Sequence, residues 1–183
     1  MTGRSTTFDN YSVKDLVLDM LIAFPKLLQT NKELKELKGP LLPFSMLSPS
    51  EQAAEILKLL EKELGGGSGV ARLESLLDQV GLAGRVDSLV KRSLFELWAV
   101  RNVVAHKNGV ADSKFIETCP QFGASLGTQL PISSVHYGRY SVASLWYIFE
   151  VHRRMLATYP QCAPAKGTTV TELEEAQQIL LAE

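Results

Sequence analysis

The chain has 183 residues, the length of one ordinary domain, with apolar residues at 45% and charged residues at 21%. That composition excludes a disordered or collagen-like chain, and no uninterrupted apolar run is long enough for a membrane span. Nineteen basic residues against 20 acidic ones give a net charge of −1, so the global charge signature of a nucleic-acid binder is absent. The segment from Thr2 to Asn10 is polar, and the apolar stretch after Tyr11 carries Lys14, Asp15 and Asp19, unlike a secretory leader. Two cysteines, Cys119 and Cys162, are too few for a disulfide framework and lack metal-ligand pairing. The expected compartment is therefore the reducing cytoplasm, with no membrane partner, metal or cofactor.

Local charge is less even. From Arg85 to Lys107 five basic residues face Asp87 and Glu96, and from His136 to Arg154 three face Glu150. The last thirteen residues carry four glutamates and no basic residue. Basic segments of this kind suit an anionic ligand, although most are solvated faces.

Helical periodicity dominates in chain order. Ser12 with Asp15 resembles a capping box, and Val13, Leu16, Val17, Met20, Phe24 and Leu27 recur at helical spacing, with a break expected at Pro25. A short turn through Leu34 and Leu37 should end at Gly39-Pro40. Ser48-Pro49-Ser50-Glu51 is a strong helix start, combining an N-cap serine, a first-turn proline and a glutamate three residues on. Ala53, Ile56, Leu57, Leu60 and Leu64 then form one stripe, which the glycine cluster at 65–69 stops. That cluster lacks the Gly-Lys-Ser/Thr ending of a phosphate-binding loop and reads as a flexible connector.

A helix is expected from Val70 to Val80, and a long one from Arg85 to His106 that ends in a left-handed turn at Lys107-Asn108-Gly109. Residues 107–135 read as a loop insertion in which Ser113–Thr118 and Gln129–Ser133 pair as a short β-hairpin, with Pro131 confining the second strand to an edge. A last long helix should run from His136 or Tyr137 to Tyr159, and Thr171 with Glu174 opens an acidic C-terminal helix over 171–183. The expectation is one all-α domain over 1–183: a helical bundle with a short β-hairpin insertion before the last long helix.

The segment from Leu94 to His106 departs from simple amphipathic patterning. At 100° per residue, with Arg101 at zero, Leu94 falls at roughly 20°, Trp98 at 60°, Phe95 at 120° and Val103 at 200°. Val100, Val104 and Leu97 follow at roughly 260°, 300° and 320°. A helix apolar all round is expected to be buried in its bundle or between subunits. Into it the chain places Arg101, Asn102 and His106, at roughly 0°, 100° and 140°, which are expected to share one side, flanked by Trp98 and Phe95 on the turns before. An unpaired arginine is costly to bury, so either Arg101 pairs with a carboxylate such as Asp15, Asp19 or Glu150, or it lines a cleft.

The string Arg101-Asn102-Val103-Val104-Ala105-His106-Lys107-Asn108-Gly109 resembles the signature of the HEPN superfamily, an arginine and a polar residue followed four to six residues later by histidine near the end of a late helix. The continuation Val110 to Ile116 is similar to bacterial members, in which a short extended insertion leads into the last long helix. The resemblance implies a HEPN-like helical bundle and a metal-independent endoribonuclease, of a defence or toxin type, acting as a homodimer with a composite active site. His106 would then be the general base or acid, Arg101 would bind the scissile phosphate, and Asn102 would orient phosphate or histidine. RNA would be cut by its own 2′-hydroxyl, giving 2′,3′-cyclic phosphate ends. Some members carry a tyrosine two residues after the histidine that a nucleotidyltransferase antitoxin modifies; here that position is Asn108. A protein antitoxin or regulatory partner would therefore act by another route.

Lys107, Arg139, Arg153 and Arg154 are weaker RNA-binding candidates, for which solvated faces are the plainer reading. Two alternatives stay open: a non-catalytic HEPN-like module that binds RNA, nucleotide or a protein partner, and a helical dimerisation domain whose Arg–His pair is structural.

Overall fold

A computed structural model describes residues 13–39, 44–64, 69–162 and 170–182. The described residues are mostly helical and contain no β-strand. They divide between two compact units, residues 1–83 and residues 84–183.

The first unit contains α1 (Val13–Ala23), α2 (Leu27–Thr30), α3 (Lys32–Glu36), α4 (Pro49–Glu63) and α5 (Val70–Asp78). The break expected at Pro25 falls between α1 and α2. At the start of α4 the Ser48 side chain accepts from the Glu51 N–H while the Ser48 N–H donates to Glu51 Oε2 at 2.8 Å, completing the capping box legible in the sequence. The core of this unit is Val17, Met20 and Leu21 from α1, Ala53, Ile56 and Leu60 from α4, and Leu76 and Leu77 from α5. Asn31 Nδ2 donates to the Gln79 carbonyl at 3.1 Å, tying the α2–α3 corner to the end of α5. The Ser12 cap and residues 65–68 of the glycine connector lie outside the described residues.

The second unit is built on α6 (Ser88–Lys107) and α8 (Ser134–Thr158), with α7 (Ser113–Thr118) between them and α9 (Val170–Ala182) packed along α8. The long helix starts at Ser88 rather than Arg85, because the Asp87 side chain accepts from the Leu89 N–H at 2.8 Å and from the Val90 N–H at 3.3 Å. It ends as expected: Asn108 has φ 52° and Gly109 φ 79°, and both N–H groups donate to the Val103 carbonyl. The last long helix begins at Ser134, with the Ser133 N–H donating to His136 Nδ1 at 3.1 Å. The acidic C-terminal helix begins at Val170, one residue before Thr171.

The β-hairpin does not form. Ser113–Thr118 is helical because the Asp112 carboxylate caps it, accepting from the Phe115 N–H at 2.8 Å, and period-2 apolar character is too weak there to hold a strand. Among the described residues one antiparallel bridge joins Gln129 to Val110, which precedes the expected first strand. Ala111 and Leu130 donate to Thr128 and Gly109 carbonyls, both at 2.9 Å, so the insertion folds back on the residues directly after α6. Phe115, Cys119, Phe122 and Leu130 from this insertion bury against Ala99, Val100 and Val103 of α6 and Tyr140 of α8. The end of α6 is thereby clamped on one side.

Candidate functional site

The clamp leaves a pocket of about 300 Å³ between the C-terminal turns of α6 and the short α7. Its floor is apolar: Trp98, Ala99, Val103 and Phe115. Phe115 is fixed edge-on against Phe122, with ring centroids 5.3 Å apart, and Trp98 stacks on Phe95 one turn earlier at 6.2 Å. Its polar wall is formed by Asn102, His106, Lys107, Asp112, Lys114 and Thr118. Helical spacing explains the grouping, since Trp98, Asn102 and His106 are successive i+4 neighbours on one side of α6.

Asn102 and His106 thus share one cleft, as their spacing predicts, and His106 is exposed to solvent. Arg101, expected on the same side, does not line it, because it stands roughly 140° from His106 around the helix. Its side chain is exposed on the adjoining face of α6, beside Val104 and Ala105, and among the described residues it forms no ion pair or hydrogen bond. Pairing of Arg101 with Glu150 is excluded by geometry, because that carboxylate is taken by Arg153, Arg154 and Gln177. Nor is the helix buried all round: Leu89 and Val104 are exposed, and Leu94 and Leu97 half-buried.

The weaker candidates separate. Lys107 lies in the cleft wall. Arg139 is ion-paired with Glu96. Arg153 donates twice to Glu150, at 2.9 Å each, and lies 3.6 Å from Glu174. Arg154 is buried, donating to Glu150 at 2.8 Å and to the Arg85 carbonyl at 3.1 Å. All three guanidiniums are engaged in these pairs, and none of them lines the cleft.

Two buried carboxylates, Glu96 and Glu150, are structural centres of this unit. Glu96, 2% exposed, accepts from the Tyr140 hydroxyl at 2.7 Å, from Gln121 Nε2 at 3.0 Å and from Arg139. A signal for it exists: its helix angle is roughly 220°, between those of Val103 and Val100 on the buried side of α6. Burial, then hydrogen bonding to Glu96, pushes the Tyr140 phenol well above its ordinary range. Burial and the Glu96 charge also push the Cys119 thiol up to about 11, so Cys119 is no thiolate nucleophile at neutral pH. Glu150 is the second centre. Burial opposes its ionisation, but donors from Arg153, Arg154 and Gln177 outweigh that and hold its carboxyl down at about 2.

Among the described residues there is no group of three or more His, Cys, Asp or Glu side chains placed to hold a metal ion, and no helix long and apolar enough to cross a membrane. Compared with known proteins, the chain matches no family model, no curated protein and no solved structure, so the cleft's own geometry has to carry any statement about its chemistry.

Proposed function

We propose that this protein is a HEPN-like, metal-independent endoribonuclease acting as a homodimer on single-stranded RNA, in a defence or toxin role. The observation that carries this reading is the cleft in which exposed His106 stands beside Asn102, Lys107 and Lys114, with an unpaired Arg101 one face away. Imidazole titrates near neutral pH and serves as either acid or base, and two lysines supply the field that draws a phosphodiester in.

In the proposed reaction one His106 removes the 2′-hydroxyl proton. The 2′-oxygen attacks phosphorus, the bond from phosphorus to the 5′-oxygen breaks, and that oxygen takes a proton from the His106 of the second protomer. The products are a 2′,3′-cyclic phosphate and a 5′-hydroxyl. Arg101 and His106 are separated by roughly 140° around the helix, so a single protomer turns them to different sides. A two-fold arrangement relieves this, since Arg101 of one protomer can reach the phosphate held at His106 of the other. Asn102 orients the phosphate or the histidine by hydrogen bonding.

A non-catalytic module that binds RNA, nucleotide or a protein partner is the second reading. It is favoured by the position of Arg101 outside the cleft, among apolar neighbours.

Purified His106→Ala should lose cleavage of single-stranded RNA by about 10²–10⁴-fold while keeping its helical content and oligomeric state. Chelation with EDTA should leave the wild-type rate unchanged. Undiminished cleavage by His106→Ala, or a rate lost on chelation and restored by magnesium, refutes the mechanism.

A further inference from the structure

The proposed chemistry uses the polar wall of the pocket between α6 and α7 and leaves its floor unassigned. That floor carries an indole and a phenyl ring, in the same pocket as the Asn102 amide and the two lysines. We infer that this pocket is a subsite for one nucleotide unit of an RNA strand, its base against Trp98 and its phosphate between Lys107 and Lys114. In assigning the nucleotide to an RNA strand the inference rests on the ribonuclease reading; the pocket's fit to a nucleotide does not.

Several observations converge on that ligand. The volume, about 300 Å³, is at the small end of ligand pockets and suits one nucleotide rather than a length of chain. The floor is set before any ligand arrives, because Phe115 is buried and edge-packed on Phe122 while Trp98 is backed by Phe95. A preset aromatic surface costs little ordering entropy on binding, and stacking on it accepts any flat base. Asn102 is half-buried and makes no hydrogen bond among the described residues. Its amide offers one donor face and one acceptor, the pattern that an adenine edge complements. Lys107 and Lys114 are exposed and likewise form no ion pair among the described residues, although Asp112 is in the same wall. The Asp112 carboxylate accepts from the Phe115 N–H through one oxygen, Oδ1, at 2.8 Å.

An apolar peptide side chain would use the floor but not the lysines, and a free inorganic anion would use the lysines but not the floor. A ligand that joins a flat heterocycle to an anion uses both.

Trp98 reports on the pocket directly. In a Trp146→Phe background Trp98 is the sole indole, since the chain has two tryptophans. Adenosine 5′-monophosphate should then quench its fluorescence saturably, while ribose 5-phosphate and inorganic phosphate should not. Lys114→Ala should weaken the mononucleotide about tenfold, the loss of one charge-assisted contact, and leave adenosine unaffected. Lys114 is exposed and unpaired, so the fold survives its removal; Trp98→Phe should retain part of the affinity where Trp98→Ala tests the ring itself, read by calorimetry. A short oligoribonucleotide with methylated 2′-hydroxyls, which cannot be cut, should displace the mononucleotide.

Absence of saturable quenching, quenching equally by ribose 5-phosphate, or an unchanged affinity in Lys114→Ala each overturns the subsite. An oligonucleotide that leaves the mononucleotide in place overturns its assignment to RNA. Failure of the ribonuclease reading looks different: mononucleotide binding persists, with its lysine dependence, while wild-type protein cuts no RNA.

Discussion

Glu150 shows how a single side chain organises the second unit. Its carboxylate, 5% exposed, gathers Arg153 and Arg154 from its own helix and Gln177 from α9, while Arg154 reaches on to the Arg85 carbonyl. Gly84 is part of the same assembly, because a Cβ there would collide with the Arg154 guanidinium. The Glu150 carboxyl titrates at about 2 in the folded protein against 4.5 for the free side chain. A folded value below the unfolded one means that the ionised form stabilises the fold above the unfolded value, and that this contribution fades as pH falls toward about 2. Urea unfolding should therefore find Glu150→Gln less stable than wild type at neutral pH, by up to about 3 kcal/mol. The gap should shrink between pH values of about 4.5 and 2. An equal gap at neutral and acid pH would show that Glu150 acts by packing alone.

Among the elements, α7 decides the most with the fewest residues. Six residues make an unstable helix in isolation, so its cap and its buried Phe115 have to hold it. Asp112→Ala removes the acceptor of the Phe115 N–H and should cost about 1 kcal/mol. Amide exchange should quicken at Phe115 and Ile116 first, and RNA cleavage should fall with it, because α7 carries one wall of the cleft. Exchange unchanged at those amides would show that tertiary packing holds α7 without its cap. The turn before it is equally constrained: Gly109 has φ 79°, and a Cβ there would lie 2.7 Å from Gln129 Oε1.

For the whole molecule, the exposed side of α6 is the decisive surface. Val104 is 48% exposed next to unpaired Arg101, with half-buried Leu97 on the turn before. His106 lies roughly 160° from Val104 around the helix, so in the proposed two-fold dimer the second copy meets the His106 side and reaches this strip at the margin of its contact. Val104→Glu would set a carboxylate in that contact and should weaken dimerisation by about tenfold or more, read by sedimentation equilibrium. RNA cleavage should fall in parallel, while helical content stays the same. A variant that remains dimeric and fully active would place the dimer contact, or the active site, elsewhere.

Much of this protein is legible in its sequence wherever neighbours along the chain decide the outcome. The Ser48 capping box, the break at Pro25, the left-handed stop at Asn108-Gly109 and the shared side of Asn102 and His106 all depend on contacts within a few residues. The proposed hairpin failed at the same scale, because the Asp112 cap outweighed a weak strand pattern. Only the tertiary structure decided which charges are structural. Glu96 finds Tyr140, 44 positions away, and Arg154 finds the Arg85 carbonyl, 69 positions away. Pairings across such separations depend on how helices pack, which no local pattern encodes. The same packing placed Lys114 of α7 in the cleft beside His106 of α6.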